Sequence, residues 1–235
     1  AEVEKDKRLK YIGGFDKPDK QKDRHITRLQ VFKEADVIID FSTPISSVYN
    51  ADYANAYRNK TALVVGTTGF SKSQLKKIEL SSKKIPILLS SNMSLGVNIL
   101  FELVKNSASK LSSVDYDIEI AETHHKHKVD APSGTALSLG EFAAKGRKVD
   151  FSNKKVFDRT GKLNKRRQGQ IGFSVTRGGE IAGEHTVSFI GENDRIDITH
   201  KTNNRSIFVK GAIEAAVFIS KKKSGLYSVK DIIKF

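Results

Sequence analysis

Three short apolar runs in the first ninety residues constrain the fold more than any other feature of this chain. They occupy residues 35–41, 62–65 and 85–89, and each is typical of a strand buried on both faces of a parallel sheet. Apolar residues recur at helical spacing between them, in residues 46–59 and 71–82. Strands that alternate with helices predict an α/β fold with a Rossmann-like doubly wound parallel sheet, which binds ligands at the carboxyl ends of its strands.

A different pattern begins near Ser94, a candidate N-cap for a helix whose apolar face we expect to carry Leu95, Ile99, Leu103 and Val104. Further along, polar and apolar residues alternate in three segments separated by turn residues, and strands of this kind normally pair antiparallel. These segments are residues 170–176, 185–190 and 195–199. They predict a second, α+β domain with an open mixed sheet.

The chain returns to the first domain near its end, where residues 206–220 have apolar residues at helical spacing. We therefore expect residues 1–94 and 206–235 to form a dinucleotide-binding domain, and residues 95–205 to form the second domain.

Residues 122–135 form the most distinctive stretch and read E-T-H-H-K-H-K-V-D-A-P-S-G-T. Alternation just before it predicts a strand over residues 117–121 that ends where the basic run begins. Helical spacing over residues 136–144 places the Pro-Ser-Gly-Thr turn at the start of a helix. The predicted order is a strand, a cationic loop and a helix N-terminus.

This order favours a small acidic substrate. Backbone N–H groups and the positive dipole end at a helix start attract an anion such as a carboxylate, and Lys128 adds a full charge. Histidine exchanges a proton near neutral pH more readily than other side chains, so His124, His125 or His127 could serve a reaction on the bound anion.

Two other interpretations of the basic run stay open. Three histidines in four residues could bind a metal, although the chain has no cysteine and no nearby His-x3-His pair completes a ligand set, so we expect none. The run could also bind nucleic acid, and strongly salt-dependent binding to DNA or RNA would favour that function.

The net charge of +14 over 235 residues favours anionic partners, but the basic residues are scattered and are rarely interleaved with aromatic residues. We therefore expect no nucleic-acid partner. Absence of cysteine favours an intracellular setting, and no apolar run approaches about 18 residues, so we expect a cytoplasmic protein that does not cross a membrane.

The stretch T-H-H-K-H-K-V-D-A-P-S-G-T-A closely resembles the signature loop of the dihydrodipicolinate reductases, NAD(P)H-dependent enzymes of bacterial lysine biosynthesis. Similar blocks occur in the same order along the whole chain: D-F-S-T-P at residues 40–44, V-G-T-T-G-F at 65–70, S-N-M-S-L-G-V-N at 91–98, G-E-H-T-V at 183–187, and residues 205–211. The resemblance implies that NADPH or NADH transfers a hydride to a carbon–nitrogen double bond of a cyclic dicarboxylate.

The resemblance also implies roles for individual residues. His124 would donate the proton and Lys128 would bind the substrate. The other implied substrate contacts are His125, Ser133, Gly134, Thr135, Thr68 and Arg205. The implied cofactor contacts are Asp16, Lys17, Gly66, Thr67, Thr68, Ser90, Ser91, Asn92 and Met93. In the family the open sheet packs against its copies, so we expect a homotetramer, with structural or interface roles for His185 and His200.

The N-terminal region departs from the family pattern. Residues 11–15 predict a short strand. From sequence alone, Asp16 and Lys17 form an ordinary turn before Pro18, whereas the resemblance gives them the positions that contact the adenosine ribose and its 2′-phosphate. The glycine-rich phosphate loop that should precede Asp16 is missing, so we expect the chain to begin part-way through the fold. A catalytically inactive relative is therefore an alternative, which an assay of the full-length gene product would test.

Overall fold

The computed structural model describes residues 2–16, 27–56, 61–161 and 165–234. They form two compact units, one from residues 1–95 with 206–235 and the other from residues 96–205. The predicted fold class, a Rossmann-like parallel sheet with a second unit built on a mixed sheet, is confirmed. Among the described residues, no helix combines the length and the apolar character that a membrane span requires.

The first unit is built around a parallel sheet with helices on both faces. Its strands run in the order β1-β2-β3-β9, and all three pairings are parallel. The strands are β1 (Val37–Asp40), β2 (Ala62–Val65), β3 (Pro86–Leu89) and β9 (Gly225–Tyr227). The helices are α1 (Glu2–Lys5), α2 (Arg28–Glu34), α3 (Pro44–Ala56), α4 (Lys72–Ser82), α7 (Ser206–Ile219) and α8 (Val229–Ile233).

Alternation along β2 shows why this sheet is covered on both sides. Leu63 and Val65 lie in the core that includes residues of α2, α3 and α4. Ala62 and Val64 lie in a second core with residues of α7 and α8. Successive side chains of a strand point to opposite faces, so a continuous apolar run fits only a strand buried on both.

The prediction of a strand at residues 11–15 is wrong. Within the described part of the chain these residues form no strand, and Gly14 makes only an isolated bridge. Ile12 and Phe15 instead pack as partly buried side chains against the first of these cores.

The second unit is a five-stranded mixed sheet with α5 (Leu95–Lys110), which begins at the unit boundary, and α6 (Gly134–Arg147). Its strand order is β5-β6-β4-β7-β8. The strands are β4 (Asp117–His124), β5 (Lys155–Val156), β6 (Ile171–Arg177), β7 (Glu184–Ile190) and β8 (Arg195–Lys201). β6 pairs in parallel with both β4 and β5, so the expected antiparallel pairing holds only for β7 and β8.

The buried face of α5 differs from the sequence prediction. Ile99 and Leu103 are 36% and 40% exposed, so they do not belong to it. The buried residues that pack into the core of the second unit are Val97, Leu100, Phe101, Val104 and Ala108. The helix carries two apolar stripes. The stripe from Val97 to Ala108, with spacings of three and four residues over three turns, faces the sheet, and the stripe with Ile99 and Leu103 does not.

Gly211 of α7 tests how closely the first unit is packed. A β-carbon at this position would lie 1.8 Å from the carbonyl oxygen of Met93, a backbone atom that cannot move away alone. We predict that Gly211→Ala destabilises the protein by about 1–3 kcal/mol, the usual range for overpacking. Thermal unfolding measures this loss. Gly178→Ala is the control, because a β-carbon there meets nothing within 4 Å. A Gly211→Ala protein as stable as the wild type would contradict the close packing of Gly211 against Met93.

Candidate active site

Strand β4 brings Glu122 and His124 to one face of the second sheet. Residues two apart on a strand share a face, so these side chains continue the row of Ile118 and Ile120, which are buried in the core. Glu122 is 2% exposed and His124 is 7% exposed. The apolar row of β4 therefore ends in a buried carboxylate and a buried imidazole.

His124 belongs to the strand, which corrects the expectation that the strand ends at residue 121. β4 is paired on both sides at this point: Glu122 lies opposite Val175 of β6 and His185 of β7. Hydrogen bonds to β6 and β7 keep the backbone extended through His124, which begins the basic run. Only the residues after His124 therefore form the loop.

The carboxylate of Glu122 is the centre of a cluster of polar side chains. Its Oε1 accepts hydrogen bonds from Ser133 N and from Arg177 Nη2, each at 2.9 Å. Its Oε2 lies 3.3 Å from His124 Nδ1 and 3.5 Å from His185 Nε2. Burial alone would raise the pKa of Glu122, but the contacts with His185, Ser133 and Arg177 outweigh it and hold the pKa well below its usual range.

Glu122, His124 and His185 each offer one potential metal ligand, and these atoms lie within 4.8 Å of one another. However, Arg177 already supplies a positive charge 2.9 Å from the carboxylate, and Ser133 N donates to the same oxygen. A second cation beside the guanidinium would be repelled. The cluster therefore fits a buried ion pair better than a metal centre.

His124 is uncharged at neutral pH in this structure. Burial lowers its pKa; Glu122 opposes this shift, while His185, Lys128 and Arg177 add to it, and the pKa falls to about 4. The ring of His185 meets that of His124 edge-on, with centroids 5.0 Å apart.

Helix α6 begins beside this cluster, which confirms the prediction that the Pro-Ser-Gly-Thr turn lies at a helix start. Ser133 is the N-cap, and its Oγ accepts from Ala136 N at 3.2 Å. The same Oγ lies 3.1 Å from His185 Nε2. The first N–H groups of a helix have no intrahelical acceptor, so Gly134 and Thr135 stand where an anion is favoured.

Lys128 is 21% exposed in its side chain and pairs with Asp130, with Nζ 2.7 Å from Oδ1. The hydrogen bond from Lys128 lowers the pKa of Asp130. The ammonium of Lys128 therefore already has an anionic partner.

The other residues of the basic loop lie nearer the surface. His125 Nε2 is 3.2 Å from Arg205 Nη2, so the structure brings together two predicted substrate residues that are 80 positions apart. His127 is 69% exposed in its side chain, and its closest acidic neighbour among the described residues is Glu180 at 3.8 Å.

Seven of the predicted cofactor residues, 66–68 and 90–93, lie in the first unit at the carboxyl ends of β2 and β3. Gly66 N donates to Asp40 O at 2.9 Å, and Thr67 Oγ1 accepts from Ser47 Oγ at 2.9 Å. Thr68 is exposed in the same loop. A β-carbon at Gly66 would lie 2.2 Å from the Phe41 ring. Glycine at this position therefore lets the loop after β2 approach the loop after β1.

The loop after β3 is held by its own hydrogen bonds. Ser90 N donates to Val65 O at 3.1 Å, and Ser90 Oγ donates to Asn92 O at 2.7 Å. Ser91 is exposed, whereas Met93 is buried in the core with its side chain. Met93 can therefore offer a ligand only its main chain.

Asp16 is exposed and lies on a cavity of about 740 Å³ in the first unit, and the lining of this cavity includes residues 8–16 and 34–42. This volume is within the range of ligand and cofactor sites. The cavity reaches Phe41 and Ser42 at the carboxyl end of β1, where doubly wound sheets bind nucleotides. These residues fit a dinucleotide, whereas Lys17 lies outside the described residues.

Sequence reasoning missed three members of the polar cluster. Glu122 could have been found by extending the alternation of β4 two residues further. Arg177 and His185 lie on β6 and β7, 55 and 63 residues from Glu122 along the chain, and no local pattern joins them to it.

Comparison with known proteins identifies the chain along almost its whole length. A family model described as dihydrodipicolinate reductase, N-terminus, matches residues 2–93, and one described as dihydrodipicolinate reductase, C-terminus, matches residues 96–233. The chain is 44% identical over 221 residues to 4-hydroxy-tetrahydrodipicolinate reductase of Caulobacter vibrioides, covering 94% of this chain and 86% of that protein. It is 48% identical over 205 residues to the Agrobacterium fabrum enzyme of that name, with 87% and 74% covered.

Among solved structures, the dipicolinate-bound dihydrodipicolinate reductase of Paenisporosarcina sp. TG-14 has the same fold, with a TM-score of 0.78. The match covers 98% of this chain and 92% of that one, at 20% identity.

The low pKa of His124 has a consequence for stability. Its pKa in the fold, about 4, lies below the unfolded value of about 6.5, so its contribution is fully present above pH 6.5 and is lost as pH falls through 4. We predict that the wild type loses up to about 3 kcal/mol more than His124→Gln between these pH values. Urea unfolding at several pH values measures this difference. Parallel curves for the two proteins would contradict the shift.

Proposed function

The chain belongs to the dihydrodipicolinate reductase family, and we propose how its residues divide the steps of the family's reaction. The protein is an NAD(P)H-dependent oxidoreductase that reduces 4-hydroxy-tetrahydrodipicolinate in the diaminopimelate and lysine pathway. The observation that supports our division most strongly is the buried, uncharged His124 beside a helix start and Lys128.

When bound, NADH or NADPH supplies the hydride. Its nicotinamide side would contact the loops after β2 and β3, and its adenosine side would lie near Asp16. The contacts that we propose after β2 and β3 are Gly66, Thr67, Thr68, Ser90, Ser91, Asn92 and Met93. Because Asp16 can accept from ribose hydroxyls and Lys17 can pair with a 2′-phosphate, we infer that both cofactors are used.

Lys128 and the N-terminus of α6 bind the substrate carboxylates in this proposal. Ser133, Gly134 and Thr135 supply the polar groups of the helix start, whose dipole end favours an anion. His125 and Arg205, which contact each other, would bind a second carboxylate, and Thr68 would add a further contact. The ion pair of Lys128 with Asp130 must then rearrange as the carboxylate binds.

His124 delivers the proton that accompanies the hydride. In the free protein it is uncharged, but each substrate carboxylate near it favours the imidazolium form. A carboxylate about 4 Å away, at an effective dielectric constant of about 20, contributes about 4 kcal/mol, which raises the pKa by about three. Substrate binding thus brings the pKa of His124 close to neutral pH, where a general acid works best.

A cytoplasmic homotetramer is the assembly we infer, formed through the sheet face opposite α5 and α6. One row across this face consists of the small residues Ser174, Ala121, Thr186 and Thr199, neighbours on β6, β4, β7 and β8. Three of the four are exposed, and small side chains leave a flat surface on which a second sheet can pack.

Kinetics of two variants test these roles. We predict that His124→Ala lowers kcat by about 10²-fold or more with a modest change in KM, as expected for loss of a general acid. Lys128→Ala should raise KM, because it removes binding charge, and lower kcat where the substrate is then misplaced. Neither change should alter NADPH affinity. His127→Ala is the matched control, because this exposed histidine of the same loop lies beside Glu180. Near-normal turnover of His124→Ala across pH would exclude it as the proton donor.

A further inference from the structure

We propose that Glu122 is a positioning residue, which holds the proton of uncharged His124 on Nδ1 and, with the same carboxylate, holds the Ser133 turn where the substrate binds. This inference rests on the proposed role of His124. It adds a residue whose side chain touches neither substrate nor cofactor and acts only through its neighbours.

Two unsatisfied atoms face each other in the cluster. Glu122 Oε2 and His124 Nδ1 are both shielded from solvent, and neither meets hydrogen-bond geometry with any described residue. They are 3.3 Å apart, so a small rotation of the ring would let Nδ1 donate to Oε2. A buried polar atom without a partner is costly, and this bond would satisfy both.

The ionised state of Glu122 decides which ring nitrogen carries the proton. A carboxylate only accepts hydrogen bonds, and neutral imidazole has a single N–H. Placing that N–H on Nδ1 pairs it with Oε2, whereas placing it on Nε2 would set two lone pairs against each other. His124 therefore keeps Nε2 as an acceptor until a second proton arrives, and Nε2 is the nitrogen that exchanges the proton of the reaction.

The groups around His124 agree with this arrangement. Glu122 approaches from the same strand, His185 from β7, Arg177 from β6 and Lys128 from the loop. Of these groups, Glu122 is the only anion, and its carboxylate can accept a hydrogen bond from the Nδ1–H of His124. On the other side, a β-carbon at Gly183 would lie 2.9 Å from His124 Nε2, so glycine leaves room for the ring at that nitrogen.

The other oxygen of the same carboxylate fixes the substrate turn. Glu122 Oε1 accepts from Ser133 N, and the Arg177 nitrogen that donates to it also donates to Asp130 O at 2.6 Å. Residues 130 and 133 flank the turn that leads into α6. One buried carboxylate therefore fixes the proton donor and the start of the carboxylate-binding helix relative to each other.

Glu122→Gln tests the proposal with little change in shape. Its amide is uncharged and can present N–H to His124, so the Nδ1–H tautomer loses its advantage. We expect kcat to fall by about 10²-fold, with a smaller rise in KM. Nitrogen-15 NMR of labelled histidine should report Nδ1–H for uncharged His124 in the wild type and a shift toward Nε2–H in Glu122→Gln. Glu141→Gln, an exposed carboxylate of α6, is the matched control and should change neither.

The tautomer separates this proposal from the proposed function. Wild-type His124 in the Nε2–H form would overturn the positioning role without any variant, as would an unchanged tautomer in Glu122→Gln. Full activity of His124→Ala would instead overturn the proton donor and leave the tautomer measurement valid. If Glu122→Gln fails to fold, the wild-type spectrum alone still decides.

Discussion

A negative charge buried at the end of β4 is the feature on which the second unit depends. Moving a carboxylate out of water is costly unless it is paired and hydrogen-bonded, and Glu122 receives both kinds of compensation. Arg177 supplies the opposite charge and Ser133 supplies a backbone N–H. These partners belong to β6 and to the start of α6, so the compensation exists only when the sheet and the helix are assembled. The same contacts that stabilise the charge therefore also hold the first turn of the helix against the sheet.

That buried charge also explains how a histidine with a low pKa can act as an acid. His124 is kept uncharged by burial and by the cations around it, while Glu122 favours the protonated ring. The uncharged and protonated forms of His124 are close enough in free energy that the charge of a dianionic substrate would reverse their order. In the proposed mechanism, His124 carries the second proton when the substrate is bound and lacks it when the substrate is absent. We propose that Lys128 and the N-terminus of α6 attract the dianion to this place, which would link substrate binding to acid strength.

The sequence predicted the elements whose signals are local. β2 lies where its apolar run indicated, and the helix start at Ser133 followed from turn chemistry and helical spacing. Errors arose where distant partners decide. His124 was expected in a loop, yet pairing with β6 and β7 extends the strand through it. Ile99 and Leu103 were expected on the buried face of α5, but the stripe that contains Val97, Leu100 and Val104 faces the sheet instead. Arg177 and His185 join the site only through sheet register, which no local pattern encodes.

The most direct test of this account is the pKa of His124 with and without a dicarboxylate. Histidine NMR titrations of the wild type, assigned with His124→Gln, should give a value near 4 in the free protein. Saturation with dipicolinate, an inert dianion, should raise it by about three. A free-state value near the ordinary 6.5, or one that dipicolinate leaves unchanged, would contradict the claim that substrate charge turns an uncharged buried histidine into the acid.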